Sequence, residues 1–540
     1  MPPMSGADAL VRTLQRHQVE VIFALPGAQI MTAFDALARL PGIRLITTRH
    51  EQATTYMADG YARTSGKVGV AMVVPGPGVL NASAGLGTAY ACSSPVFLIA
   101  GQIESWGLGK ERGLLHEIRE QMDTLRPLTK WCARALKPQE VPGLVAEALR
   151  QAQSGRPRPT AVEIPPDVLA STAEIGIPEP EPPTIPEPDP QAVRRAAALL
   201  KGAKQVAIWV GGGAVRSPCS QELLEIARIL QAPILLTPEG KGAVPEEHPL
   251  CAGANYYGFG PAQWVVPQCD VLLAIGTRFL LPTFRRWAPK PPQRLVQIDA
   301  DPQEIGRNYP AEVGIVADTR LGLQALLAEL GTSRPGRQGE ILAQQARQHA
   351  LQEVQQIAPL QVRIVEAIRQ ALPDNAILVA GVTNVAYWAN LAYPARLPNT
   401  YITSSYFATL GYAFPTSLGA KVAQPARQVV SINGDGGFLY NAQELATALK
   451  EQLPVVAIVF ADGAFGASKN DQRTRFGGRY LGTDLHNPDF VRLAEAFGAL
   501  GVRAQPEEVG QALQSALNAD RPVVIEVPMP TLPPPFQMDR

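Results

Sequence analysis

The 540-residue chain balances 48 lysines and arginines against 48 aspartates and glutamates, so no net field recruits nucleic acid or an anionic membrane. An apolar fraction of 46% with 18% charged residues fits a globular protein with substantial cores, and the length suits about three domains. Five cysteines without a C-x-x-C pair, no basic-then-apolar signal pattern and no apolar run near ~20 residues predict a soluble, cytoplasmic protein with reduced thiols and no membrane span.

In chain order, residues 7–17 carry a helical period. Residues 19–24 read as a strand running into the turn Leu25-Pro26-Gly27-Ala28-Gln29. A strand over 43–48 ends at Arg49-His50-Glu51-Gln52, and the helix after it places Glu51 in its first turn, where a carboxylate alone is worth under ~1 kcal/mol. A strand over 68–74 leads into Pro75-Gly76-Pro77-Gly78-Val79-Leu80-Asn81, and a strand over 96–100 into Gly101-Gln102. Leu114-Leu115-His116-Glu117 is expected to enter a helical stretch, and Val162 to Pro166 closes the first domain, 1–171. The prolines between 175 and 190 exclude helix and interior sheet and predict an extended linker.

A Rossmann-like central domain is expected over 190–335, with strands ending at Gly211-Gly212-Gly213, Gly276-Thr277-Arg278 and Asp299, though it lacks a Gly-x-Gly-x-x-Gly fingerprint. The Gln-rich stretch 336–356 reads as a link to a third domain, 357–530. There a strand over 376–380 ends at Gly381-Val382-Thr383-Asn384. The most informative stretch is 428–467: a strand stopping at Gly434-Asp435-Gly436-Gly437, a helix, then a strand stopping at Ala461-Asp462-Gly463. A βαβ unit makes its strands parallel, so Asp435 and Asp462 meet at the loop edge where open α/β sheets bind ligands. Two facing carboxylates need a cation, and hard oxygen ligands beside glycines point to Mg²⁺ carrying a diphosphate.

This pair of acidic turns resembles the cofactor motif of thiamine-diphosphate enzymes, most of which carry Asn-Asn where this chain has Ala461-Asp462. Three motifs in the same order make nearly the whole chain similar to the acetolactate synthase group of that family. The resemblance implies three doubly wound parallel-sheet α/β domains: pyrimidine-binding, central Rossmann-like and diphosphate-binding. It assigns the metal to Asp435, Asp462 and the Ala464 carbonyl. It assigns thiamine diphosphate to Glu51, Gly76, Asn81, Thr383, Asn384, Leu410, Gly434, Asp435, Gly436, Gly437, Asp462, Ala464 and Phe465. Glu51, His116 and Gln29 take the catalytic positions, Glu51 against the aminopyrimidine and Leu410 where the family holds the cofactor bent.

The chain departs from acetolactate synthases at Pro166, where they have Lys, and at Ala467 and Asp471, where they have Met and Trp. FAD stays open for the central domain but is disfavoured, because Leu280-Leu281-Pro282 stands where the family reads Asp-Asp-Arg. The implied chemistry is decarboxylation of a pyruvate-like 2-oxo acid with ligation to a second carbonyl, by a homodimer or homotetramer whose sites lie between chains. A decarboxylase releasing an aldehyde and a non-catalytic diphosphate-binding homologue are the alternatives.

Overall fold

The computed structural model describes residues 3–280, 294–331 and 336–538. Runs of valine, isoleucine, leucine and alanine, apolar on both faces, form three six-stranded sheets in which every described strand pair is parallel. The first sheet runs, edge to edge, Arg44–Thr47, Val21–Ala24, Gly69–Val73, Val96–Gly101, Thr160–Ile164 and Trp131–Arg134. The third runs Tyr401–Ile402, Ile377–Ala380, Val429–Gly434, Val456–Ala461, Val523–Pro528 and Leu500–Arg503.

Numbered along the chain, both sheets have the order 2-1-3-4-6-5, so the first and third domains repeat one topology. The central sheet, from Val206–Val210 to Val313–Val316, has the doubly wound order 3-2-1-4-5-6. Each order reverses beside the sheet's first strand. The loops leaving that strand and its neighbour therefore diverge and leave a crevice. In the first sheet those loops carry Gln29 and Gly76; in the third they carry Thr383 and Asp435.

The first and third sheets share one core. Phe23, Val73 and Leu98 join Phe414, Leu418 and Val459 in a single buried cluster. Between the sheets, helix Glu51–Ser65 crosses helix Ala413–Ala423 with backbones in contact. A Cβ on Gly60 would stand 2.1 Å from the Thr416 carbonyl oxygen, and one on Gly419 1.9 Å from that of Met57. Only glycine fits at either place.

One expectation gains detail and another needs correction. The Gln-rich stretch that links the central and third sheets is the helix Gln338–Ile357. Leu342, Ala343 and Ala346 recur on one face and pack against Ala207 and Trp209, while Val354 joins the third domain's core. Residues 114–117 are not helical: Gly113 and His116 both have positive φ, 72° and 67°, and the next helix is Gln121–Leu125. The proline-rich segment is irregular up to Asp189, whose side chain caps helix Pro190–Gly202. Among the described residues no helix is long and apolar enough to cross a membrane.

Candidate active site

Pairing of Gly434 with Phe460 in the third sheet sets Asp435 beside Ala461 and Asp462. Asp435 is 2% exposed. One oxygen accepts from the Gly436 amide at 2.7 Å, the other from the Gly463 amide at 2.8 Å and the Asn487 side-chain amide at 2.6 Å. Asp462 accepts from the Ala464 amide at 3.3 Å. Burial, and then the charge of Asp435, push its pKa up to about 6. A divalent cation would relieve both effects.

Asn487 Oδ1 is buried without a hydrogen-bond partner next to the pair, a neutral oxygen suited to a hydrated hard cation. Among the described residues no group of three His, Cys, Asp or Glu side chains is placed to hold a metal ion, so the remaining ligands would be carbonyl, phosphate or water oxygens. The residues present fit a magnesium-diphosphate group.

Glycine backbone surrounds the acidic pair. A small cavity is lined by Gly381, Leu410, Gly411, Asn433, Gly434 and Gly437. A Cβ on Gly434 would meet the Thr383 hydroxyl at 3.0 Å, and one on Gly436 the Phe465 ring at 2.8 Å. Ala464 is buried, bridged to Asp484, and Phe465 donates its amide to Thr483 at 2.8 Å. Asn384 is engaged elsewhere: Gln361 donates to its oxygen at 3.1 Å, and its own amide donates to the Leu532 carbonyl at 2.8 Å. Its side chain ties loops together, which leaves Thr383 as the better donor to a phosphate.

At the first sheet's edge, Gly76 has φ 57°, and a Cβ there would lie 2.3 Å from the His116 carbonyl oxygen. That close approach fixes Gly76. Gln29, buried, donates to the Leu115 carbonyl at 2.9 Å, and its oxygen meets His116 Nδ1 at 3.1 Å. Beneath them Gln121 accepts from the Gly76 amide at 2.8 Å and donates to Glu163 at 3.0 Å. Glu163 is fully buried and accepts from Arg134 at 2.6 Å. Gln29, Gly76 and His116 thus form one cluster.

Glu51 opens its helix, and Asn81 donates to its carboxylate at 3.0 Å. The turn before it is held by the third domain of the same chain. Glu444 accepts from the amides of Arg49 (3.0 and 3.1 Å) and His50 (3.0 Å).

Where the three domains meet, a cavity of about 820 Å³ is lined by Gly211, Gly213, Arg63, Arg216, Arg278 and Phe279, among others. Arg63 and Arg278 donate to the carbonyls of Thr403 and Ala91 at 2.6 and 2.8 Å. Burial lowers the Arg216 pKa to about 10.

Sequence reasoning missed Asn487, Gln121, Glu163 and Glu444. Each reaches the site from a segment whose local pattern carries no signal for it.

Comparison with known proteins gives three consecutive matches. The family model described as the thiamine pyrophosphate enzyme N-terminal TPP binding domain matches residues 4–125. The central-domain model matches 193–326, and the C-terminal TPP binding domain model 381–527. A probable acetolactate synthase large subunit of Methanocaldococcus jannaschii is 33% identical over 98% of this chain and 94% of its own length. A probable 2-ketoarginine decarboxylase of Pseudomonas aeruginosa is 35% identical over 94% of this chain and 90% of its own. The acetolactate synthase isozyme 3 large subunit of Escherichia coli K12 is 32% identical over 96% and 93%.

Proposed function

The chain belongs to the thiamine pyrophosphate enzymes, in their acetolactate synthase-like group. On that premise we propose that it decarboxylates a pyruvate-like 2-oxo acid and joins the retained unit to a second carbonyl compound. The observation that carries this is the pair of acidic turns, Asp435 and Asp462, side by side over a glycine-lined cavity at the third sheet's crevice. Thiamine diphosphate, when bound, supplies the electron sink for loss of CO₂.

This chain's residues do the rest. Asp435, Asp462 and the Ala464 carbonyl would hold Mg²⁺ beside the diphosphate. Thr383 and the amides of Gly434 and Gly437 would face the phosphates, with Phe465 beneath Gly436. Leu410, beside Gly411 at that cavity, would support the cofactor in a bent form. Glu51, steadied by Asn81, exchanges a proton with the aminopyrimidine ring. Gln29 and His116 present polar atoms to the substrate across Gly76. Met31, Leu80 and Leu115, all at least half exposed beside that cluster, support a second copy of the chain covering it. The site then lies between chains of a homodimer or homotetramer, in a cytoplasmic enzyme.

A product assay with pyruvate, separating acetolactate from acetaldehyde, tests this reading. Acetaldehyde as the sole product would replace it with the second one, a decarboxylase. That reading is favoured by His116, a proton donor held against Gln29, and by the relative named as a 2-ketoarginine decarboxylase.

The central cavity has the volume and arginine lining for a dinucleotide. It weighs against the expectation disfavouring FAD, which rests partly on Leu281 and Pro282, outside the described residues. Quenching of flavin fluorescence on mixing FAD with the apo-protein decides it.

A further inference from the structure

Under the cluster of Gln29, Gly76 and His116 lies a ring of hydrogen bonds that none of the proposed steps uses. Gln121 opens helix Gln121–Leu125 and is fully buried. Its oxygen accepts from the Gly76 amide at 2.8 Å. Its NH₂ donates to the Gly101 carbonyl and to Glu163 Oε1, each at 3.0 Å. The other Glu163 oxygen accepts from Arg134 Nε at 2.6 Å and from the Gln102 side chain at 3.3 Å. Arg134 also donates to Glu120 at 2.5 Å, the residue before Gln121, so the ring closes on itself.

The donors and acceptors in this ring leave little choice. A carboxylate has acceptors only, whereas a side-chain amide presents an acceptor on one side and donors on the other. With Glu163 and the Gly101 carbonyl together, the Gln121 NH₂ has to face them, and its oxygen is left for Gly76. A glutamine at 163 would have one oxygen for two sets of donors. Whichever way its amide turned, a buried N–H would face another N–H.

Gly76 is where the ring meets the site. Its α-carbon abuts the His116 backbone, since a Cβ there would lie 2.3 Å from the His116 carbonyl oxygen. His116 itself stands at φ 67° in an irregular stretch, a left-handed conformation that persists only where neighbours hold it. Gly76 and Gln29 are such neighbours.

We propose that Gln121 is a positioning residue for His116: it holds the Gly76 amide, Gly76 backs the His116 main chain, and Glu163 sets the direction in which the Gln121 amide points. This rests on the reading of His116 and Gln29 as groups that face the substrate.

The test uses full-length protein carrying ¹³C at histidine Cε1, whose six histidines give six NMR signals, with His116→Phe identifying the one from His116. Gln121→Met and Glu163→Gln each shift that signal and leave the others in place. Each also raises the KM for pyruvate about tenfold while kcat stays within about twofold. Both act along one path, so the double variant lies within about twofold of either single one. A stationary His116 signal in both variants overturns the proposal. So does a further tenfold loss in the double variant, which would give Glu163 a route of its own. A moved signal with an unchanged KM overturns it too, leaving Gln121 as a support of the fold alone. If thermal melting shows that Glu163→Gln is unfolded, Gln121→Met decides under the same expectations. Absence of pyruvate turnover in wild type would instead overturn the functional reading, and the histidine signals then decide the positioning role by themselves.

Discussion

Glu444→Gln isolates what one buried carboxyl contributes to the joint between the first and third sheets. Glu444 is fully buried, and besides the Arg49 and His50 amides it accepts the Thr447 hydroxyl at 2.6 Å. Burial outweighs those donors and lifts its pKa from 4.5 to about 7. Between those two values the folded protein keeps a proton that the unfolded chain has released. Stability from this group is therefore fully present below pH 4.5 and is lost as pH rises through about 7, above which both states are ionised.

A shift of that size is worth about 3 kcal/mol across the window. Glutamine keeps an oxygen for the two amides, and the Thr447 hydroxyl can turn to accept from its NH₂, so the shape survives while the titration is removed. Denaturant unfolding of apo wild type and variant, at about pH 5 and about pH 8, measures the effect. The stability of wild type relative to the variant should fall by up to about 3 kcal/mol from the lower pH to the higher. A constant difference would mean that Glu444 is already ionised at the lower pH and that its donors, not burial, set its state.

Asp435→Ala should abolish thiamine diphosphate binding, because it also strands the Gly463 amide and the Asn487 side chain; Asp462→Asn should stay within about tenfold in the same titration. Glu51→Gln should leave cofactor binding near wild type yet slow hydrogen–deuterium exchange at the thiazolium C2 of the bound cofactor by orders of magnitude; unchanged exchange would make Glu51 a helix-end carboxylate only. His116→Phe removes the side chain that meets Gln29, and should shift the acetaldehyde-to-acetolactate ratio from pyruvate towards ligation. A ratio that does not move takes His116 out of the chemistry.

The strands were readable because fully apolar runs such as 456–461 end at glycine and aspartate, and the βαβ rule then places Asp435 and Asp462 together before any coordinates are known. Helix Gln338–Ile357 was hidden by its glutamines, since the alanines on its buried face carry little hydrophobic signal. Leu114 and Leu115 suggested a helix, but the positive φ at Gly113 and His116 breaks it, and a left-handed histidine leaves no mark in a periodicity. The supporting residues escaped for a different reason. Asn487 is 52 positions from Asp435 (487 − 435) and Glu163 is 87 from Gly76 (163 − 76), distances at which local pattern carries no information.

The backbone contact at Gly60 and Gly419 limits how this protein can move. Two helices separated by a layer of side chains can slide by repacking that layer. Two helices whose carbonyls already occupy the place of a Cβ have no such layer and no slack. The first and third sheets must therefore turn as one block. Access to the crevices at their edges cannot come from a hinge between these domains. It falls instead to the irregular stretch from 108 to 120, which carries His116. Substrate entry and product release are then set by a short piece of chain with little mass to move, while the parts that hold the charged groups stay still.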